Sequence, residues 1–204
     1  MARDESPPWE RGQTYYGGQT IDSNNLGGID LEGKEFVFED IDHSVVGAKP
    51  KRSGKRVKVR VVRNVGAAAL LPKGLASFVA GTTYGKRVDG LARTTAAEGY
   101  PIDEWLPAAG VPVNDLFYIV VEGPSLVLSD LAAGANNVIT AGGVLVALTA
   151  ATSGATTAGR VAPQDLTGAT ALLANQVQNR IGVALSSKTT AETNASILIE
   201  VKKW

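Results

Sequence analysis

The sequence predicts an all-β chain, a compact β-barrel or sandwich of short antiparallel strands with an extended N-terminal arm and at most one short helix. Three observations predict it. Short segments with the two-residue period of a strand recur along the chain at fairly regular spacing, separated by turn residues. Gly, at 23 of 204 residues, is joined by many Ala, Thr and Val, a composition that favours turns and strands over helices. Charge is laid down in blocks: residues 1–48 hold ten acids against three bases, and residues 49–63 hold eight bases and no acid.

Residues 1–48 read as the arm. The stretch SPPWERGQTYYGGQTIDSNNLGGID is polar, rich in Gly and Asn, and carries Trp9, Tyr15 and Tyr16. Such a segment buries too little surface by itself to offset its ordering entropy. Its aromatics are therefore expected to dock on something, either its own domain or a neighbour. Residues 49–204 form the β-rich domain, beginning with KPKRSGKRVKVRVVRN, where Val57, Val59 and Val61 alternate with Lys58, Arg60 and Val62. Further strands are expected within 73–80, 86–92, 116–121, 125–129, 142–150, 160–164, 179–187 and 195–203. LFYIVV (116–121) is an unbroken apolar run, Glu122-Gly123-Pro124 stops it, and SLVLS follows, so the segment reads as two buried strands around a corner. The last two strands form a hairpin, with Ile197, Ile199 and Val201 facing inward and Glu200 and Lys202 outward. The one helix is expected over 163–179, with Asp165 as its N-cap and Gly168 weakening it. Residues 132–158 are small throughout and suit either close packing between subunits or plain loop.

The sequence offers little to build a reaction centre. There is no cysteine, hence no thiol nucleophile and no thiolate metal site. His43 is the single histidine and reads as a surface group near carboxylates, not a triad base or a zinc ligand. GTTYGKR (81–87) has three residues, not four, between its glycines, and Arg87 where a phosphate loop needs Ser or Thr, so it reads as a β-turn. Glu39, Asp40 and Asp42 lack a calcium loop. Asp103 and Glu104 are adjacent and, on a strand, would point to opposite faces with nothing converging on them. We expect no enzyme, no cofactor and no metal. A carbohydrate-active enzyme is the competing class, ranked low because it calls for an aromatic-lined cleft and converging carboxylates.

The basic block is the strongest electrostatic feature. Arg52, Lys55, Arg56, Lys58 and Arg60, together with Trp9, Tyr15 and Tyr16 of the arm, are the candidate partner interface. Formal net charge is zero and the block has no interleaved aromatics, so direct nucleic-acid binding is disfavoured. An acidic protein partner and a plain solvated strand face are the other two readings. The N-terminus has no apolar leader, and no apolar run reaches the roughly 18 residues of a membrane helix, so no membrane association is expected.

Three stretches carry a family resemblance: RVVRNVGAAALLPKGLASF (60–78), DEWLPAAGVPVNDLFYIVVEGPSLVL (103–128) and RIGVALSSKTTAETNASILIEV (180–201). The most telling parts are Asn114-Asp115-Leu116-Phe117 running into Glu122-Gly123-Pro124, and Ile181-Gly182-Val183-Ala184 before a Thr-rich loop and a last strand. From about residue 56 onward the chain resembles the head decoration, or capsid cement, proteins of tailed bacteriophages; the acidic arm matches nothing in that pattern. The resemblance implies a small β-rich homotrimer. It implies binding to the major capsid protein on the outside of an expanded head, made in the host cytoplasm and carried on the virion. It implies a mechanical function, with no cofactor. A phage head-fibre, receptor-binding or tail structural component is the alternative.

Overall fold

A computed structural model describes residues 6–15, 31–45, 47, 49–90, 99–130, 138–148, 159–164, 177, 179–189, 191–192 and 194–202. Tyr16, most of the stretch 132–158 and most of the expected helix lie outside the described residues.

Among the described residues ten strands form one mixed sheet that does not close into a barrel, which of the two expected forms is compatible with the sandwich. They are β1 (Glu35–Ile41), β2 (Lys51–Asn64), β3 (Leu75–Phe78), β4 (Arg87–Gly90), β5 (Tyr100–Pro101), β6 (Leu116–Leu128), β7 (Val144–Ala147), β8 (Val161–Pro163), β9 (Arg180–Ala184) and β10 (Ser196–Val201). The order is β5-β3-β4-β2-β6-β10-β9-β7-β8, with β1 beside β2. Two features depart from short antiparallel strands throughout. β2 and β6 run for 14 and 13 residues, and β2 pairs with β4 in parallel at Arg63↔Arg87 and Asn64↔Val88.

β6 is the spine. Its first half pairs with β2, from Arg63↔Leu116 to Lys58↔Glu122. Its second half pairs with β10, from Val201↔Gly123 to Ser196↔Leu128. The expected corner is thus inside one strand, at Gly123, whose φ is +96°. A Cβ there would lie 2.3 Å from the Arg56 carbonyl oxygen, so the backbones of β2 and β6 meet at a contact that only Gly permits.

A bulge accompanies the corner. Val59 pairs with Val120 and Lys58 with Glu122, leaving Val121 as the extra residue. One inserted residue exchanges the faces of everything beyond it. Leu116, Tyr118 and Val120 face the main core before the bulge, and Val127 does so after it. Ser125, Val127 and Ser129 are buried in the second half, while Leu126 and Leu128 are half-exposed.

The unbroken apolar run of β6 is explained by burial on both faces. Leu116, Tyr118 and Val120 join Val57, Val59, Val61, Ile181, Ile197, Ile199 and Val201 in the core between the two halves of the sheet. Phe117 and Ile119 join Val62, Leu70, Phe78, Val88, Ile102 and Val111 in a second core on the opposite face. Five fully buried side chains of this size contribute on the order of 10 kcal/mol of gross burial.

The arm expectation needs correction at residues 35–41. They are β1, paired antiparallel along β2 from Glu35↔Arg60 to Ile41↔Lys51. The change of charge near residue 48 therefore does not divide the sheet: Leu31 and Phe36 lie in the main core with Val57 and Val59. The physical reason is the alternation Phe36-Val37-Phe38, which puts two aromatics on the core side of a strand that turns Glu35, Val37 and Glu39 to the other face.

Candidate functional site

Within the chain, residues 6–15 run across the sandwich as a strap. Tyr15 exchanges two backbone hydrogen bonds with Leu116 on the edge of β6 opposite β2 (2.9 and 3.1 Å). Trp9 stacks on Tyr118 at 5.0 Å and on Tyr15 at 5.5 Å, and the Tyr118 hydroxyl donates to the Trp9 carbonyl (3.0 Å). Burial pushes the Tyr118 phenol well above its ordinary pKa, so it remains a donor.

Arg11 then turns inward and is 3 % exposed. It meets a buried charge cluster drawn from four segments. Arg11 Nη2 and Nε donate to Asp103 Oδ1 (2.8 and 3.1 Å), and Nη2 also reaches Glu104 Oε1 (3.4 Å). The Gly12 N–H donates to Asp103 Oδ2 (2.8 Å). From β2, Arg52 Nη1 and Nη2 donate to the two oxygens of Glu104 (2.8 and 2.9 Å), while Nε and Nη2 hold Asp40 of β1 (3.0 and 2.7 Å). Ser53 Oγ donates to Asp40 (2.7 Å), and the Leu126 N–H of β6 to Glu104 (3.0 Å). Burial works against the Arg52 charge, but the hydrogen bonds it donates to Glu104 and Asp40 outweigh this and raise its pKa. The guanidinium also lies over the Trp105 ring at 5.7 Å.

This cluster overturns two sequence expectations. Asp103 and Glu104 do converge, because the chain leaves its bridge at Ile102 and turns, sending both carboxylates the same way. The basic block does have local acids. Lys51 pairs with Glu39 (2.9 Å), Lys58 and Arg60 pair with Glu35, and Lys55 pairs with Glu200 of β10 (2.7 Å). Burial opposes ionisation of Glu35, yet hydrogen bonds from Lys58 and Arg60 hold its carboxyl below the usual range.

The candidate interface residues therefore separate. Arg52 belongs to the buried cluster; Trp9 and Tyr15 pack on the chain's own core. Lys55, Lys58 and Arg60 are on the surface with acids of this chain. Arg56 is exposed, and among the described residues no carboxylate lies within ion-pair distance. Arg11 was missed. It lies 92 positions from Asp103, and its only local signal is a lone arginine between aromatics in an acidic stretch.

His43 is half-buried, its ring 5.3 Å from that of Trp105; burial first, then Lys49 and Arg11, depress its pKa. Residues 81–87 form the expected turns linking β3 to β4, with Tyr84 N–H bonded to the Gly81 carbonyl (3.1 Å). Among the described residues, no group of three or more His or acidic side chains is placed to hold a metal ion. The carboxylates of the cluster spend their lone pairs on arginine, hydroxyl and backbone donors, so chemically it is a latch.

No family model matches the chain, and no curated protein matches it.

Proposed function

We propose that the chain is a head decoration (cement) protein of a tailed bacteriophage, binding the major capsid protein on the outside of the expanded shell as a homotrimer. The observation that carries this reading is where the three resembling stretches lie. Residues 60–78, 103–128 and 180–201 supply β6, β10 and β9, the end of β2 that pairs with β6, and β3. The resemblance thus takes in the structural spine of the molecule together with the loops that join its strands.

The physical properties suit a mechanical role. β6 is buried on both faces, and the strap and β1 are tied to it by buried charge, so the unit is stiff. The outward face of the β1–β2 ribbon carries Lys51, Arg56, Lys58 and Arg60 against Glu35 and Glu39. After internal pairing that face keeps a positive surplus, with Val37 52 % exposed in its middle. It suits an acidic protein surface. Modest contacts repeated around a trimer act as one multivalent clamp, and a protein that binds only the expanded shell stabilises it by mass action against packaged DNA.

The test is to add purified chain to empty expanded and unexpanded heads and image the particles. Threefold density between capsomers on expanded heads only is the expected result. Absence from the shell with density at the tail or in fibres would replace this reading with the head-fibre or tail one.

A further inference from the structure

The cleft that receives the strap recognises a particular sequence. Its floor is the Tyr118 ring, which takes Trp9. Its deep end is the Asp103/Glu104 pair, which takes a guanidinium at residue 11. Just past that arginine the backbone must come close: Gly12 has φ +86°, and a Cβ there would sit 2.9 Å from the Trp105 carbonyl oxygen. Beyond, the Leu116 edge of β6 pairs with the backbone at residue 15. An aromatic, an arginine, an obligatory glycine and a strand edge in fixed order describe the segment Trp9–Tyr15, and every copy of the chain carries that segment.

We infer that the strap is exchangeable: residues 6–15 of one copy seat in this cleft on a second copy, so that Arg11 of one completes the charge cluster of the other. The contacts made in cis and in trans are identical, so the choice between them rests on local concentration alone. Fifteen residues separate Tyr15 from Leu31. Extended, they span about 50 Å, against a domain of 204 residues about 40 Å across. The neighbouring cleft is therefore within reach. The cis strap competes at an effective concentration of about 1 mM, so exchange takes over where copies are held side by side more densely than that. The inference stands on the cleft alone and is independent of the decoration reading.

The chain has no cysteine, so engineered thiols report cleanly. Tyr15 and Leu116 form a hydrogen-bonded antiparallel pair, with Cα atoms about 5.5 Å apart, inside disulfide range. Full-length Tyr15→Cys and full-length Leu116→Cys chains are mixed at about 1 mM in a glutathione redox buffer. Tyr15→Cys mixed with Leu71→Cys, at a surface position, measures random collision. Exchange predicts a heterodimeric disulfide at least tenfold above that control, rising with concentration. The chain carrying both Tyr15→Cys and Leu116→Cys shows that the pair can close. If it closes while the mixture stays at the control level, the strap is confined to its own chain and the inference fails. Should Leu116→Cys not fold, sedimentation of the parent and of Arg11→Ala at the same concentration decides. Exchange predicts an associated species in the parent that falls several-fold in Arg11→Ala; equal association in both overturns it.

Discussion

The buried latch and the solvent-facing side of the β1–β2 ribbon are made of the same chemistry, arginine and lysine against carboxylates, and they do different things. In the latch, the side chains of Asp40, Asp103 and Glu104 are wholly shielded from water, and Arg11 nearly so. On the ribbon, the side chains of Lys51 and Glu39 are 61 % and 55 % exposed. An exposed pair is screened and loses side-chain freedom, so it contributes about 0–1 kcal/mol. A buried pair contributes little net stability over an apolar replacement, but losing one partner strands a charge and costs about 3–5 kcal/mol. The latch therefore fixes where the strap, β1, β2 and the turn after Ile102 must lie, whereas the ribbon adjusts surface charge. Both latch and strap also carry a residual cost, since Arg11 Nη1, Trp9 Nε1 and Trp105 Nε1 are buried donors with no acceptor among the described residues.

The largest expected effect comes from Arg52→Ala. It removes the cation shared by Asp40 and Glu104 and should cost about 3–5 kcal/mol, lowering Tm by roughly 10 °C or more. Arg52→Lys should recover only part of this, because an ammonium cannot span two carboxylates as a planar fork does. Thermal unfolding by circular dichroism measures both, and a loss below 1 kcal/mol for Arg52→Ala would erase the distinction between latch and ribbon.

Arg11→Ala should cost less, about 2–3 kcal/mol, because the strap can lift and let water reach Asp103. Its signature is local: amides of residues 6–15 lose hydrogen-exchange protection and Trp9 emission shifts to the red, while β2 and β6 stay protected. Uniform loss of protection would make the strap part of the global folding unit.

On the ribbon, Lys58→Ala or Glu39→Gln should change stability by no more than about 0.5 kcal/mol. About 0.5 M salt should remove that difference but leave the Arg52→Ala loss in place. Denaturant titrations at two salt concentrations separate the cases.

The smallest effect is with pH. The unfolded chain binds a proton at His43 near 6.5, and the folded chain does so only at lower pH. The unfolded state thus holds more protons in between, and stability falls as pH drops from about 6.5 towards the folded pKa, then levels. Glu35, depressed below 4.5 when folded, adds a second decline: its contribution is complete above 4.5 and is lost as pH falls through its folded pKa. His43→Phe should abolish the first step and keep the second; Glu35→Gln should keep the first and shrink the second, which Glu10, Asp42 and Glu192, also held below their usual range by hydrogen bonds, share. A pH series of Tm values reads both, and an unchanged first step in His43→Phe would assign it elsewhere.

Sequence alone determined what neighbouring residues can encode. Val57, Val59 and Val61, and Ile197, Ile199 and Val201, alternate as a half-buried strand must, and all six are buried. The run from Leu116 to Val121 announced a buried strand, though the corner expected after it proved to lie inside a single strand, and Gly81 and Gly85 announced a turn. Tertiary structure alone decided which charges meet. Arg52 lies 12 residues from Asp40 and 52 from Glu104, and Arg11 lies 92 from Asp103. No local period records such separations; they follow from which backbone edges the cores bring together, and from the cost of leaving any of those charges buried alone. The facing of β6 beyond Gly123 was undetermined for the same reason, since one bulged residue, set by the meeting of β2 and β6, exchanges inside for outside.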